Sequence, residues 1–438
     1  MSTSRRQFLT STGTATSAVV AAPLLQPLFA SSSKPETINL GIIGCGGIMT
    51  HHVKGIVARR ENVNLTWLCD VDPAQIEKIS KHVDDFQSQA PQQTGRYEDV
   101  IQDSNVDAVI IATPHHWHAP MTIQAMQEGK DVYIEKPISH VYNEGHAIIK
   151  AAEKYDRVIQ QGSQMRNSPV TDRAGKLLAE GIIGDIKVAR AWTAEIRSVV
   201  KPVPDSQPPQ GVDYDRWLGP APKRPFNPHR FHRSWRMFTD YANGEIGDDG
   251  IHDIDMAAWA LGVDSAPTQV TARGSRMMLH GHASDYPDNL NVAWEFSDGR
   301  LMIYENYPFT AYGMQGFDNG NVFYGTKGYM IFSRRGAFSV FLGPKSKPGP
   351  TEGDLRGQRG YAEHMTEFLD AVRNRDRNTK ADPRTAHRSC ALVHLGEIAY
   401  QTSGRLDFDP HTETFIGNEA ANRLLNKSYR EPFGLNIS

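Results

Sequence analysis

A glycine-rich turn near residue 45 is the first place where residue types and spacing could do chemistry. Gly44, Gly46 and Gly47 follow a run of β-forming residues, and Ile48 begins a stretch with helical periodicity. Glycines let the backbone turn tightly and approach a pyrophosphate at the N-terminus of the following helix. Asp70 ends the next apolar run, where a carboxylate can accept hydrogen bonds from a ribose. The pattern predicts a dinucleotide site that includes Gly44, Gly46, Gly47, Ile48 and Asp70. An ordinary turn and a turn-starting aspartate are the structural alternatives.

The acidic residues after the second apolar run bear on which dinucleotide would bind. Asp72 follows Asp70 closely, and two carboxylates would repel a 2′-phosphate. We therefore expect NAD rather than NADP. Met49 stands where the usual fingerprint has its third glycine, so the glycine turn alone is a weak signal and the surrounding strand and helix carry the prediction.

A second chemical pattern lies in Gly247-Asp248-Asp249-Gly250-Ile251-His252, at the start of a predicted helix that ends at Leu261. A spacing of four residues can place Asp248 and His252 on one helix face. Imidazole titrates near neutrality and can therefore remove a hydroxyl proton. The structural alternatives are Asp248 as a helix N-cap and His252 as a core residue.

Three clustered histidines, His115, His116 and His118, invite a metal interpretation. The sequence supplies no matched set of further ligands beside them, so we predict no metal site. We expect these histidines to begin a helix and, together with Thr113 and Pro114, to line the cofactor cleft.

The elements that must position these residues fall into two predicted domains, 37–162 and 163–438. In the first, β-rich runs alternate with amphipathic helices, which predicts a doubly wound parallel (Rossmann) sheet that binds ligands at the carboxyl ends of its strands. The predicted strands are Ile38–Ile43, Val63–Cys69, Ala108–Ala112, Val132–Glu135 and Val158–Gln161. The predicted helices are Ile48–Arg59, Pro73–His82, Ala119–Gln127 and Tyr142–Tyr155.

The second domain is predicted to be α+β, with an open and predominantly antiparallel sheet. A long strand at Ile186–Ile196 precedes a Pro-rich excursion over residues 198–235, which is too long for an ordinary connection and is therefore expected to serve function or an interface. Short β runs and turns follow, then two helices, and a tail at Asn418–Tyr429 that we interpret as a surface segment.

Length and composition bound the class of protein. A chain of 438 residues with 39% apolar content and a formal net charge of −3 predicts a globular protein of two domains. Without a Lys/Arg run, nucleic-acid binding is not expected. Ser4-Arg5-Arg6-Gln7-Phe8-Leu9 and the apolar stretch after it predict that residues 1–36 are a twin-arginine signal and linker. We therefore expect the Tat machinery as a partner, a periplasmic location and a mature chain without a transmembrane segment.

Two further runs resemble the glucose-fructose oxidoreductase, inositol dehydrogenase and rhizopine-catabolism (Gfo/Idh/MocA) family. They are Ala112–His118 and Val132-Tyr133-Ile134-Glu135-Lys136-Pro137, and the Glu-Lys-Pro tripeptide is the specific part. The resemblance implies that Lys136 hydrogen-bonds a sugar hydroxyl and stabilises the developing carbonyl oxygen. It also implies an acid–base role for His252, with Asp248 supporting it or contacting substrate. A structural lysine paired with Glu135 is the alternative for Lys136.

The resemblance extends to other candidate positions. Glu135 and His118 are expected to contribute to the cofactor site, and a cis peptide is expected at Lys136–Pro137. Arg166 is a candidate substrate contact. Trp235 and Arg236 are further candidates because of the aromatic and basic composition of the Pro-rich excursion, with packing against another subunit as the alternative. The family often carries a second cation beside the position of Arg166, and this chain lacks it, which weakens the usual substrate assignment.

The resulting hypothesis is a two-domain oxidoreductase with NAD held tightly between its domains. Hydride would pass between the nicotinamide and a carbinol carbon of a sugar, cyclitol or derivative, and a second sugar-like substrate would restore the cofactor. The alternatives are a redox-neutral NAD-dependent hydrolase that resembles glycoside hydrolase family 109, and a non-catalytic sugar sensor. A homodimer or homotetramer is expected.

Overall fold

Strands of buried, branched side chains alternate with amphipathic helices through the first part of the computed structural model. It describes residues 37–57, 62–84, 87–195, 200–277, 280–307, 313–402 and 404–435. The predicted export signal lies outside these residues. The strands of the first sheet are β1 (Ile38–Ile43), β2 (Val63–Cys69), β3 (Gln92–Thr94), β4 (Ala108–Ile111), β5 (Asp131–Ile134) and β6 (Ile159–Gln161). The helices between them are α1 (Met49–Val57), α2 (Pro73–Val83), α3 (Tyr97–Gln102), α4 (His115–Gln127) and α5 (Tyr142–Tyr155).

The first sheet is parallel throughout, in the order β3-β2-β1-β4-β5-β6, which confirms the predicted Rossmann topology. The strand order reverses between β1 and β4, and such a switch point opens a crevice at the carboxyl ends of the strands. The glycine turn follows β1 at this crevice. The Lys136–Pro137 peptide, just after β5, is cis as expected.

The first domain differs from the prediction in the start of one helix and in two short elements. Helix α4 begins at His115 rather than Ala119, so the three clustered histidines lie within its first turn instead of before it. The short elements β3 and α3 were not predicted. Strand β3 was missed because Gln92–Thr94 is polar and carries no alternating apolar pattern.

The second sheet has ten strands in the order β14-β13-β12-β11-β7-β10-β9-β8-β15-β16. Its strands are β7 (Ile186–Thr193), β8 (Gln269–Ser275), β9 (Asn289–Glu295), β10 (Leu301–Asn306), β11 (Asn319–Gly325), β12 (Gly328–Ser333), β13 (Ala337–Leu342), β14 (Lys347–Glu352), β15 (Arg405–Asp409) and β16 (Thr414–Phe415). The pairing of β7 with β10 is parallel and the other pairings are antiparallel. The predicted α+β fold with an open, predominantly antiparallel sheet is confirmed.

Seven α-helices accompany this sheet in the described residues. They are α6 (Pro169–Ala179), α7 (Tyr214–Leu218), α8 (Gly244–Asp248), α9 (Gly250–Leu261), α10 (Tyr361–Asn374), α11 (Pro383–Thr402) and α12 (Glu419–Leu424). Helix α9 packs on β7, and its C-terminus is closed by Gly262 in the left-handed conformation (φ 68°). None of the helices in the described ranges is both long and apolar enough to cross a bilayer.

The tail is more than the surface segment that we predicted. Lys427 forms a 2.7 Å ion pair with Glu144, whose side chain is 1% exposed, and the Tyr429 hydroxyl donates to the same carboxylate. Arg430 pairs with Asp215 at 2.9 Å. These contacts tie the tail to α5 and to α7, which lies between β7 and β8 in the chain.

The Pro-rich excursion folds into an ordered unit, and we call its residues 200–237 the arm. It contains α7 and short 3₁₀ turns at Pro228–Arg230 and Ser234–Met237. Its buried aromatic side chains pack into a small core of their own, together with Tyr241, and Val71 of the first domain packs against that core. The arm has little regular secondary structure, and we infer that the burial of its aromatic side chains stabilises its fold.

Candidate active site

The glycine turn is shaped for a ligand by two different requirements. Gly44 has φ +92°, and a Cβ built on it would lie 2.6 Å from the Ala112 carbonyl oxygen, so the backbone itself requires glycine. A Cβ on Gly46 or Gly47 would meet nothing within 4 Å. Both glycines line a cavity of about 840 Å³, so their missing side chains leave open space in that cavity.

Asp70 holds the turn from the end of β2. Its Oδ2 accepts a 2.8 Å hydrogen bond from the Cys45 amide, and its Oδ1 accepts one of 2.9 Å from the Asp72 amide. Burial raises the pKa of the Asp70 carboxyl, and the two amide hydrogen bonds oppose that rise. The carboxylate lines the cavity and retains lone pairs with which it could accept ribose hydroxyls.

The cavity fits a dinucleotide in size and in chemistry. It spans the carboxyl ends of β1, β2 and β4, and its volume lies within the usual range for cofactor sites. The space at Gly46 and Gly47 suits a pyrophosphate at the N-terminus of α1, and Asp70 suits a ribose. Thr113 and Pro114 also line the cavity, as predicted for the cofactor site.

Asp248 and Arg236 also line the cavity, and Asp248 forms an ion pair with Lys136, which does not itself line it. The Lys136 Nζ atom donates to the Asp248 carbonyl at 2.5 Å and to Asp248 Oδ1 at 2.9 Å. Arg236 Nε donates to the same Oδ1 at 2.9 Å. Burial would raise the pKa of Asp248, but the two cations hold it well below its usual range, so this carboxylate is ionised.

Glu135 does not face the cavity and does not pair with the Lys136 ammonium. Its Oε1 lies 2.7 Å from His52 Nε2, on α1. Burial raises the pKa of Glu135, but the hydrogen bond and charge of His52, together with the Lys136 charge, lower it to about 2. Glu135 thus fixes β5 against α1, and its predicted contact with the cofactor stays a prediction. The alternative of a Lys136–Glu135 pair is wrong, because the ammonium pairs with Asp248.

His252 lies in the first turn of α9, 8% exposed, and its imidazole makes no hydrogen bond within the described ranges. Burial, Lys136 and Arg334 lower its pKa to about 3, so the ring is neutral at neutral pH. The helix predicted to run from Gly247 to Leu261 is divided at Asp249 into α8 and α9. Asp248 therefore contacts Lys136 and Arg236 and does not orient His252.

The clustered histidines at the start of α4 are buried structural residues. His118 Nδ1 lies 2.6 Å from the Pro137 carbonyl oxygen and Nε2 lies 2.8 Å from that of Thr113, so it ties two loops together. His118 does not line the cavity, and its contact with the cofactor stays a prediction. His116 Nε2 donates to the Trp217 carbonyl at 3.0 Å, and burial lowers the pKa of His116 to about 3. Among the described residues, no group of three or more His, Cys, Asp or Glu could hold a metal ion.

The three candidate substrate contacts have different surroundings. Arg166 donates twice to Asp255, at 2.7 and 2.8 Å, and does not line the cavity, so its guanidinium is committed to an internal ion pair. Trp235 and Arg236 do line the cavity, with the guanidinium 4.3 Å from the centre of the indole ring. His115 packs edge-on against Trp235 at 5.0 Å and supports that wall.

Sequence reasoning missed several cavity residues that the arm supplies. The cavity lining also includes Arg216, Trp217, His232 and Arg233. The basic and aromatic composition of the arm was the available signal, but no periodicity showed which side chains face inward.

The fold and this cavity define a two-domain NAD-binding oxidoreductase, and comparison with known proteins identifies its family. Residues 38–163 match the sequence model of the oxidoreductase family with an NAD-binding Rossmann fold, and residues 185–327 and 339–435 match that of its C-terminal alpha/beta domain. The chain belongs to the Gfo/Idh/MocA oxidoreductase family.

Curated relatives include both oxidoreductases and hydrolases. The protein named as the uncharacterized oxidoreductase YrbE of Bacillus subtilis is 26% identical over 67% of this chain and 73% of its own length. A glycosyl hydrolase family 109 protein of Shewanella baltica is 26% identical over 45% of this chain, and the match spans about half (48%) of that relative.

Solved structures share the fold at low sequence identity. Aldose-aldose oxidoreductase from Caulobacter crescentus has a TM-score of 0.66 and 18% identity, covering 85% of this chain and 100% of its own. The WlbA dehydrogenase from Bordetella pertussis, in complex with NADH and UDP-GlcNAcA, has a TM-score of 0.62 and 17% identity, covering 85% and 99%.

Proposed function

We propose that the protein transfers a hydride between NAD and a carbinol carbon of a sugar, cyclitol or sugar derivative. The observation that carries this proposal is the Lys136–Asp248 ion pair, because Asp248 lines the same cavity as the glycine turn and holds the Lys136 ammonium beside it. NAD, when bound, accepts or supplies the hydride. The protein then has to bind the substrate oxygen and manage its proton.

Lys136 is the group suited to the substrate oxygen. Two of its ammonium protons are directed to Asp248, which leaves one for a ligand and fixes the orientation of the side chain. A fixed cation stabilises the negative charge that develops on oxygen when a hydroxyl loses its proton. Asp248 holds the ammonium in place, which differs from the support of His252 that we predicted.

His252 is the group suited to the proton. Its low pKa keeps the imidazole neutral but also makes it a weak base, so we propose that a ring nitrogen accepts the hydroxyl proton while the hydride leaves, because the hydroxyl becomes strongly acidic at that point. Trp235 and Arg236 provide an aromatic and a polar wall, a combination that suits a sugar with one apolar face and several hydroxyls.

The proposal includes export and cofactor retention. The Arg5-Arg6 pattern supports export through the twin-arginine route to the periplasm. An enzyme working there would keep its NAD and would need a second sugar-like substrate to restore it. Cell fractionation of the native protein tests the location: recovery in the periplasm supports export, and exclusive recovery in the cytoplasm contradicts it.

A redox-neutral glycoside hydrolase is the second candidate, favoured by the family 109 relatives. Purified protein without added cofactor separates the possibilities. If an aldose reduces the bound NAD and a second carbonyl compound reoxidises it, the oxidoreductase proposal is supported. Steady release of aglycone from aryl glycosides supports the hydrolase instead. Bound NAD whose absorbance never changes, with no aglycone released, indicates a sugar sensor.

A further inference from the structure

The arm contributes to the cavity lining, although in the chain it lies between β7 and β8 of the second sheet. Trp217, His232 and Trp235 line the cavity from the arm, and Gly46 and Asp70 line it from the Rossmann domain. A dinucleotide lying in the cavity would therefore be covered by a segment that the Rossmann fold does not itself contain.

Polar contacts fasten the arm to the Rossmann domain beside Asp70. Arg216 donates to both carboxylate oxygens of Glu98, at 2.9 and 3.1 Å. His232 Nε2 lies 2.8 Å from Asp72 Oδ2, and the Asp213 amide donates to the Val71 carbonyl at 3.0 Å. The anchors thus flank the residue that we assign to the adenosine ribose.

Arg233 differs from the other arginines of the arm. Arg216, Arg224, Arg230 and Arg236 are all paired with carboxylates, whereas the Arg233 guanidinium has no acidic partner among the described residues. Arg233 is exposed and belongs to the lining of the same cavity as Gly46 and Gly47. A cation without an acidic partner in that cavity suits a pyrophosphate, because arginine binds phosphate oxygens in charge-assisted hydrogen bonds.

We infer that the arm retains the dinucleotide, with Arg216–Glu98 and His232–Asp72 as its anchors and Arg233 as a cation for the pyrophosphate. This inference deepens the proposed function by naming what keeps NAD in place. It concerns binding alone and requires no particular reaction at Lys136.

The test measures how fast the resident cofactor leaves the purified holoprotein. Excess ADP-ribose, which lacks the nicotinamide, is added as a competitor, and the released NAD is measured over time by chromatography. We expect release about tenfold faster in Arg216→Gln and in Glu98→Gln, because breaking an ion pair that holds a closed segment acts on dissociation. We expect a similar, about tenfold, acceleration in Arg233→Gln, which removes one charge-assisted contact without loosening the arm.

Arg230→Gln is the matched control. Arg230 pairs with Asp205, so both partners lie within the arm and the pair does not reach the Rossmann domain. Release from Arg216→Gln and Arg233→Gln at the rate of this control would overturn the inference. Faster NAD release from Arg216→Gln but not from Arg233→Gln would overturn the role of Arg233 and support retention of NAD by the arm. Faster release combined with no turnover of any sugar by the unsubstituted protein would support the arm while the proposed reaction fails.

Discussion

Two parts of the cavity lining differ in how they would bind a ligand: the glycine turn, which we call the glycine end, and the Asp248–Arg236 part, which we call the charged end. At the glycine turn, space is made by the lack of side chains on Gly46 and Gly47, and backbone amides are held by Asp70. At the charged end, the Asp248 carboxylate pairs with two cations, Lys136 and Arg236, so the set keeps a net positive charge. We therefore expect the glycine end to select its ligand by shape and the charged end to select its ligand by charge.

This difference has consequences for substitutions. Where space is the requirement, an added methyl group should weaken binding without unfolding the protein. Where charge is the requirement, removing one member of the Lys136–Asp248–Arg236 set should leave the cavity open but change the chemistry within it. The four predictions below compare the two ends.

The largest effect is expected at the charged end. Lys136→Ala should lower turnover by about 10²- to 10³-fold, because it removes a fixed donor to the substrate oxygen. NAD content should be unchanged, since the glycine turn is intact. Steady-state kinetics and the amount of bound cofactor are measured together, with Lys81→Ala, an exposed position paired only with Glu77, as the control. Turnover within a few-fold of the unsubstituted protein would show that Lys136 is not catalytic.

At the glycine turn, two neighbouring substitutions should have different effects. Gly46→Val should weaken NAD binding by about tenfold to hundredfold, since its side chain occupies space intended for the ligand. Its melting temperature should change little, because a Cβ there meets nothing within 4 Å. Gly44→Ala should instead lower the free energy of unfolding by about 1–3 kcal/mol, because φ +92° and the Ala112 carbonyl oppose a side chain. Equal binding and stability changes in both variants would contradict the distinction.

Asp70→Asn should have a smaller effect. The amide side chain can accept only on its oxygen, so one of the two bonds from the Cys45 and Asp72 amides is lost together with the charge facing the ribose. We expect affinity for NAD to fall about tenfold, with kcat almost unchanged. A titration of the unloaded protein measures the affinity. A loss of kcat with unchanged affinity would place Asp70 outside the ribose site.

The smallest effect is expected in the pH profile, where the titration of His252 should not change kcat/KM near neutral pH. Its pKa is lowered to about 3, so the neutral, proton-accepting ring is the form present above that pH. For sugar oxidation, His252 should therefore leave kcat/KM flat between about pH 5 and about pH 7, whereas an ordinary histidine would lose half its basic form near pH 6.5. A His252-dependent fall with a midpoint near pH 6.5, lost in His252→Asn, would contradict this.

The parts of the fold that could be predicted from sequence are those determined by residues close together in the chain. The bounds of Ile38–Ile43 and Val63–Cys69 were predicted as observed, because compact apolar runs end at turn residues. The pairing of the glycine turn with Asp70 followed from chain order in a Rossmann fold. Gln92–Thr94 was missed because a short polar edge strand has no apolar signature.

The parts of the site that could not be predicted depend on distant partners. Glu135 lies against His52 and Arg166 against Asp255, separated by 83 and 89 residues, so their side chains were assigned to ligands that they do not face. The arm was recognised as unusual, but its inward residues are set by aromatic packing rather than by a sequence period.

The most direct test of a dinucleotide bound between these two ends is an experimental structure of the NAD-loaded protein. We predict the pyrophosphate at Gly46 and Gly47 and the nicotinamide ring facing the Lys136 ammonium, with C4 within about 4 Å of a bound sugar carbon. A dinucleotide bound outside this cavity, or a nicotinamide turned away from Lys136, would contradict the proposed chemistry.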